Sequence, residues 1–297
     1  MLPEIPSLPW RFAALSDEES DANKARVVVV PVPYDATVSF VGGSREGPLA
    51  IINASRYLED YDIEAGFAIS DIGIHTAPEV EAHVGGPEYM INRVKLAAER
   101  WARQGKIVTL LGGEHSVSIG GVMALKETYP DLSVLYLDAH ADFRNEYMGS
   151  KFSHACTARR ISEICPIVEV GVRSVSEEEM DFINKHNVPV YFNDLSFNTI
   201  PQSAEDILAS LTDNVYVSID LDVLDPSLMP GVGTPEPGGM SWEAICGLLR
   251  SVGSTRRIVG FDLMELCPPA GLPSCAFTAA KLAYKTMGYA TILENRV

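Results

Sequence analysis

A mostly parallel β-sheet with helices on both faces, an α/β fold, is the architecture this sequence predicts. Short, β-branched apolar runs recur along the chain, and helix-compatible stretches lie between several of them. No repeat, low-complexity tract or break in composition interrupts the alternation. That continuity argues for one domain over residues 26–297 behind an N-terminal arm of residues 1–25.

The runs at residues 27–30, 107–111, 133–137, 167–172, 215–219 and 258–261 are rich in Val, Ile and Leu, too short for helices and apolar on both faces, as buried strands require. The stretches 89–104, 117–128, 177–186, 205–211 and 242–252 carry the helical spacing. A chain of 297 residues, 46% hydrophobic and 21% charged, can bury a sizeable core. Its net charge of −17 repels phosphate backbones and anionic lipid, so nucleic acid and membrane surfaces are poor partners and a small cation is a better one. The five cysteines, Cys156, Cys165, Cys246, Cys267 and Cys275, are odd in number and show no CxxC pair. Neither a disulfide framework nor a zinc-thiolate site is indicated, and a reducing cytoplasm suits them. The opening Met1-Leu2-Pro3-Glu4-Ile5-Pro6 has no basic segment leading into an apolar run, and no stretch is long enough to cross a bilayer, so secretion and anchoring are not expected.

The chemistry lies just after the strands. Residues 107–111 lead into Gly112-Gly113-Glu114-His115-Ser116, and 133–137 into Asp138-Ala139-His140-Ala141-Asp142. Residues 215–219 lead into Asp220-Leu221-Asp222, and 258–261 towards Glu265. In a parallel sheet these carboxyl ends share one edge, where ligands bind. Extended backbone turns every second side chain to the same side, so Asp138, His140 and Asp142 share a face, as do Asp220 and Asp222. An Asp at a strand end is ordinarily a turn or cap residue. Four carboxylates buried together are another matter, because repulsion and desolvation penalise each of them unless cations are present. Two divalent ions resolve this, and a set of oxygens with two imidazoles suits Mn²⁺ better than structural zinc, with Ni²⁺, Co²⁺ or Fe²⁺ as alternatives.

These motifs, with Ser218-Ile219-Asp220-Leu221-Asp222-Val223-Leu224-Asp225-Pro226 and Gly233-Thr234-Pro235-Glu236-Pro237-Gly238-Gly239, resemble the signature set of the arginase (ureohydrolase) family, in the family's order. The likeness runs from Pro33-Tyr34-Asp35-Ala36-Thr37 to Glu265 and covers nearly the whole chain. It implies a three-layer α-β-α domain assembled as trimers or hexamers. It also implies two manganese ions, one on His115, Asp138, Asp142 and Asp220, the other on Asp138, His140, Asp220 and Asp222. Four carboxylates against two divalent ions and a bridging hydroxide leave about one negative charge beside a guanidinium, whose carbon water attacks poorly unless metals activate it. The resemblance makes Asp142 the group that passes a proton to the leaving amine, Glu265 the partner of the guanidinium and His154 a proton shuttle at the site mouth. Ala155 follows that histidine where the family often has Gly.

Within the family, the substrate tail separates arginase, agmatinase, guanidinobutyrase, guanidinopropionase, free-guanidine hydrolase and formimidoylglutamase. Phe143-Arg144-Asn145-Glu146-Tyr147 replaces the pattern with which arginases hold the α-amino acid end, and Ser176 falls where an Asp is expected. The expected reaction is agmatine plus water to putrescine plus urea, a step of polyamine biosynthesis, with Glu146 or Glu236 meeting the terminal amine. Guanidinobutyrate is the closest rival if Arg144 grips its carboxylate. An inactive regulatory homologue would have lost a ligand, His154 or Glu265, and none is lost. A metallophosphatase would need basic residues among the carboxylates, where only Arg144 and Arg173 stand near.

Overall fold

The computed structural model describes residues 8–193 and 204–292. In chain order its elements are β1 (Val27–Val32), α1 (Gly47–Ser55), a small hairpin of β2 (Tyr61–Asp62) and β3 (Phe67–Ala68), β4 (Ile74–Thr76), α2 (Pro87–Ala102), β5 (Ile107–Gly112), α3 (Ser118–Thr128), β6 (Ser133–Leu137), α4 (Thr157–Ser162), β7 (Ile167–Val170), α5 (Glu177–His186), β8 (Val190–Tyr191), α6 (Ala204–Ala209), β9 (Asn214–Asp220), α7 (Trp242–Thr255), β10 (Arg257–Met264) and α8 (Pro273–Tyr289). Eight strands form one sheet in the order β4-β1-β5-β10-β9-β6-β7-β8, every neighbouring pair parallel.

The six predicted runs all lie in this sheet, which is wholly parallel rather than mostly so. The run predicted to reach residue 172 stops at Val170, because Gly171 takes φ +102° and turns the chain out of the ladder. Each long strand is buried on both faces and divides its residues with period two. Val27 and Val29 belong to the core that holds Ile51, Leu249 and Leu282 of α1, α7 and α8, while Val28 and Val30 belong to the core that holds Met90, Val122 and Ile183 of α2, α3 and α5. The result is three layers with two cores, in which each fully buried Val or Leu contributes roughly 1.5–3 kcal/mol.

Part of the predicted N-terminal arm is packed down. Phe12 is fully buried, and the main-chain N–H groups of Phe12 and Ala13 donate to Thr76 and Ser55. The opening Met1–Pro6 segment lies outside the described residues. No helix among those described is long and apolar enough to cross a membrane. All five cysteines are free thiols and buried.

The strands that end in the motifs, β5, β10, β9 and β6, are the four central and adjacent ones. Leu137 pairs with Ile219, so Asp138 and Asp220 leave the sheet at the same level on neighbouring strands. After β5 the chain makes a close approach that only glycine permits. A Cβ on Gly113 would stand 2.0 Å from the carbonyl oxygen of Tyr34. Gly113 N–H donates to Val32 and Glu114 N–H to Tyr34, which ties the loop after β1 against the turn that carries His115. Gly113→Ala must push these two segments apart. We expect it to cost about 1–3 kcal/mol, the usual penalty of overpacking, read as a lower midpoint in thermal or urea unfolding; an unchanged midpoint would contradict the close approach.

Candidate metal centre

At the carboxyl edge of the sheet two compact groups of ligand atoms form, His115 with Asp138 and Asp220, and Asp138 with His140 and Asp222. Within each group the ligand atoms lie within 4.8 Å of one another, and Asp138 belongs to both. His115 Nδ1 stands 3.0 Å from Asp138 Oδ2 and 3.2 Å from Asp220 Oδ2, and His140 Nδ1 stands 3.0 Å from Asp222 Oδ2 and 3.5 Å from Asp138 Oδ1. Asp142 sits at the margin, its Oδ2 4.0 Å from His115 Nδ1 and accepting the Tyr136 hydroxyl at 2.8 Å.

Burial, and then the charges of Asp222 and Asp138, raise the Asp220 carboxyl well above the ordinary range; burial and Asp138 do the same to Asp142. Burial opposes protonation of His140, yet Asp222 and Asp138 lift its imidazole to about 12. A cluster with these tendencies must take up either protons or cations. One atom favours cations. Asp138 Oδ2 is buried without a hydrogen-bond partner, although His115 Nδ1 is only 3.0 Å away. An orphaned carboxylate oxygen facing an imidazole nitrogen suits an ion held between them better than a hydrogen bond.

The side of His115 away from the carboxylates explains which nitrogen faces them. Its Nε2 lies 2.8 Å from Ser218 Oγ, and that hydroxyl donates to Asp262 Oδ1 at 2.9 Å. Asp262 is buried and also accepts Tyr216 O–H and the main-chain N–H of Ile219. With its proton committed to Asp262, Ser218 accepts from Nε2–H, so Nδ1 is the nitrogen turned to Asp138 and Asp220, which favour a proton there until an ion takes its place. Tyr136 stacks on the same ring, centroids 4.4 Å apart.

Asp142 and Glu265 share a backbone peculiarity, φ +49° and +64°, a region L-residues rarely adopt. Such conformations cost of order 1–3 kcal/mol and persist where the surroundings over-determine them. Glu265 is held by its own N–H to Gly113 and by Oε1 accepting His115 N–H at 2.7 Å. Burial, followed by the charge of Glu114, pushes its carboxyl up to about 8. His154 lines the same inner cleft as His115, His140, Asp142, Asp220 and Glu265, and burial presses its imidazole down to about 4.

Outside this cleft lies a cavity of about 210 Å³ walled by Arg144, Tyr147, Val175 and Ser176 among others. Of the residues predicted to meet the substrate tail, Arg144 faces this cavity but is drawn to Glu179, 4.0 Å from its Nε, and lies over the Tyr147 ring. Ser176 is on the wall as the N-cap of α5, its hydroxyl donating to Glu179. Glu146 is exposed and lines neither space; Glu236 does not either, though its Oε1 is 3.9 Å from His140 Nε2. Arg173 spends its guanidinium on carbonyl oxygens, chiefly those of Asp222 and Glu236 at 2.7 Å, and so is not free to hold a phosphate. Sequence reasoning assigned no role to Ser218, Asp262, Tyr136, Glu114 or Thr37. A polar residue inside an otherwise apolar strand was the available signal for the first three.

Asp138, Asp142, Asp220 and Asp222 gathered with His115 and His140 at the carboxyl edge of a parallel α/β sheet define the class, a metal-binding hydrolase. A model of the arginase family matches residues 25–288. The chain belongs to that family, whose hydrolases depend on two metal ions. The N(1)-aminopropylagmatine ureohydrolase of Synechocystis sp. is 40% identical over 275 residues, covering 89% of each chain. Its counterpart in Thermus thermophilus is 40% identical over 274 residues, 92% of each. Among solved structures, the agmatine ureohydrolase of Thermoplasma volcanium superposes with a TM-score of 0.86 at 30% identity, covering 97% of this chain and 96% of that one.

Because Ser218 meets His115 on the side away from Asp138 and Asp220, Ser218→Ala is expected to lower the affinity of this group for a metal about 10–100-fold, the usual effect of removing a hydrogen-bond partner behind a metal-binding histidine, measured by competition with a chelator. Unaltered affinity would show that His115 is oriented by other means. An NMR titration of His154 should find the ring neutral until about pH 4, against an ordinary value near 6.5.

Proposed function

We propose that this ureohydrolase is a binuclear manganese enzyme acting on a guanidino-alkylamine, and that it converts agmatine and water to putrescine and urea. The observation that carries the reading is Asp138, shared by two His/Asp groups, one oxygen orphaned, beneath a cleft lined by its partners His115, His140 and Asp220 and by Glu265. His115, Asp138, Asp142 and Asp220 would hold one ion, and Asp138, His140, Asp220 and Asp222 the other. When bound, the ions supply Lewis acidity that activates water at neutral pH and offset the carboxylate charge.

The protein's own residues do the rest. Glu265 has Oε1 engaged by His115 N–H, which fixes the carboxylate and leaves Oε2 for a guanidinium N–H. Asp142, oriented by Tyr136, stands where a proton can pass to the departing amine, which must leave as the neutral or protonated amine rather than as an amide anion. His154 closes the outer end of the cleft and moves protons between it and solvent.

The tail preference follows from what the outer cavity offers. Arginine would bring an α-carboxylate and α-ammonium into a space where the guanidinium of Arg144 is drawn to Glu179. Each lost hydrogen-bonding partner costs about 1–3 kcal/mol. The same pairing argues against guanidinobutyrate. An agmatine tail carries no carboxylate, and its ammonium falls to Glu236, whose Oε1 is 3.9 Å from His140 Nε2, or to Glu146, next in sequence to the cavity residue Tyr147. A second reading is N(1)-aminopropylagmatine, favoured by the cavity of about 210 Å³ beyond the cleft and by the names of the relatives at 40% identity. Family membership supports assembly as trimers or hexamers, and buried free thiols suit the cytoplasm.

Asp138→Asn and Asp220→Asn are each expected to lower metal content below two per chain, by elemental analysis, and to abolish urea release; either variant keeping both metals and normal turnover would remove the basis of the assignment. Glu265→Gln should keep both metals and lose most activity. The substrate is decided by kcat/KM for agmatine, N(1)-aminopropylagmatine, arginine, guanidinobutyrate and guanidine with Mn²⁺. Preference for either of the first two fits the cavity, and preference for arginine or guanidinobutyrate would overturn the tail argument.

A further inference from the structure

Two residues outside the cluster converge on His154. Glu114, on the turn between β5 and α3, is fully buried and receives three donors. Thr37 N–H reaches Oε2 at 2.5 Å, while the hydroxyls of Thr37 and Ser116 reach Oε1 at 2.9 and 2.5 Å. Thr37 belongs to the loop after β1, which is fastened at its other end by Asp35. The Asp35 carboxylate accepts the N–H groups of Gly43 and Arg45 and pairs with the Arg45 guanidinium. Thr37 Oγ1 is therefore a fixed atom. It accepts the main-chain N–H of His154 at 2.9 Å and lies 3.3 Å from His154 Nδ1.

We infer that Glu114 and Thr37 position His154, holding its imidazole as the tautomer with the proton on Nδ1 and leaving Nε2 as the atom that exchanges protons with the cleft. A threonine hydroxyl has one proton, and here it goes to a carboxylate. Towards His154 the oxygen can only accept, so the ring nitrogen beside it must carry hydrogen. Ser153 Oγ, 3.4 Å from the same nitrogen, can donate or accept and follows the state that Thr37 imposes. At the other side of the ring, Ser39 Oγ is 3.3 Å from Nε2 and can donate to its lone pair. When Nε2 takes a proton from the cleft, Nδ1–H stays in place and the imidazolium charge faces the Thr37–Glu114 pair; release of the Nε2 proton to solvent restores the ring. A base oriented by a hydroxyl and a buried carboxylate follows the logic of other oriented catalytic histidines. The inference rests on reading His154 as the proton-transfer residue of the proposed ureohydrolase.

The test uses the full chain with ¹⁵N-labelled histidine, loaded with diamagnetic Mg²⁺ and studied by magic-angle-spinning NMR, the His154 signals being identified by their loss in His154→Asn. In the unmutated chain Nδ1 should appear protonated and Nε2 bare. Thr37→Val removes the hydroxyl at constant shape and should shift the ring towards Nε2–H, and Thr37→Ser should restore the original pattern. Glu114→Gln is the second variant, because an amide that donates to Thr37 frees the hydroxyl proton for Nδ1 and gives the same shift. With Mn²⁺, Thr37→Val should lower kcat about tenfold, part of the 10²–10⁴-fold typical of general acid–base catalysis, with KM and metal content unchanged and recovery in Thr37→Ser. An Nε2–H ring in the unmutated chain, or a Thr37→Val spectrum identical to it, would overturn the inference. If the unmutated chain hydrolyses no compound of the guanidino panel, the proposed function falls, while the tautomer result still decides the role of Thr37.

Discussion

Mutual repulsion among buried carboxylates is the constraint on which this molecule turns. Asp138 and Asp220 leave adjacent strands at one level with Asp142 and Asp222 close behind. Burial makes Asp142, Asp220 and Asp222 worse anions than they would be in water, while His115 and His140 outweigh burial and hold Asp138 below the ordinary carboxylate range. Without positive charge the arrangement loads itself with protons, as the raised carboxyls and the strongly basic His140 indicate. The surroundings hold the acids in place at that cost: Asp222 N–H donates to Asp220, His140 N–H to Asp138 and Ala139 N–H to Asp222. The main chain thus fixes oxygens that would otherwise move apart.

A second theme is the use of hydroxyl groups to decide which face of an imidazole carries a proton. Ser218 does this for His115 through Asp262, and Thr37 is placed to do it for His154 through Glu114. In each pair the carboxylate claims the hydroxyl proton, and the histidine receives an acceptor. The outcomes differ: His115 keeps hydrogen on Nε2, whereas His154 keeps it on Nδ1. Two histidines in one cleft can then present bare nitrogens for different tasks.

The six residues proposed as metal ligands were legible because they follow β-branched runs, which keeps Asp138 near His140 and Asp220 near Asp222, but the extended backbone expected to align them ends first: Leu221–Val223 is a short 3-10 helix and Asp142 takes φ +49°. Convergence of those pairs required only that the strands be parallel. Ser218 and Asp262 were not legible as a pair, since their meeting depends on the register that sets Ser218 beside Asp262 on β9 and β10. Thr37 meets Glu114 across a separation of 77 residues, set by a turn that periodicity does not report. Among the secondary elements, β4 and β8 escaped because strands of three and two residues leave no pattern. Helix α8 escaped for the opposite reason: most of its C-terminal half is buried all round, which erases the polar stripe that marks a surface helix. The backbone strain at Asp142 and Glu265 had no signal at all, because neither residue type announces a positive φ.

The placement of the cluster on four central strands has a consequence for how the molecule comes into being. His115 and Asp220 meet across 105 residues, and the strand carrying Glu265 is the last to be synthesised yet lies between those carrying the other two. A chain that has made only β1 to β7 owns His115, Asp138 and His140 but neither Asp220 nor Asp222. Insertion of β9 and β10 into the middle of the sheet therefore closes the core and completes the ion-binding groups in the same event. Cation capture becomes a reward available only to the finished topology, and an ion bound there adds its binding free energy to the native state alone.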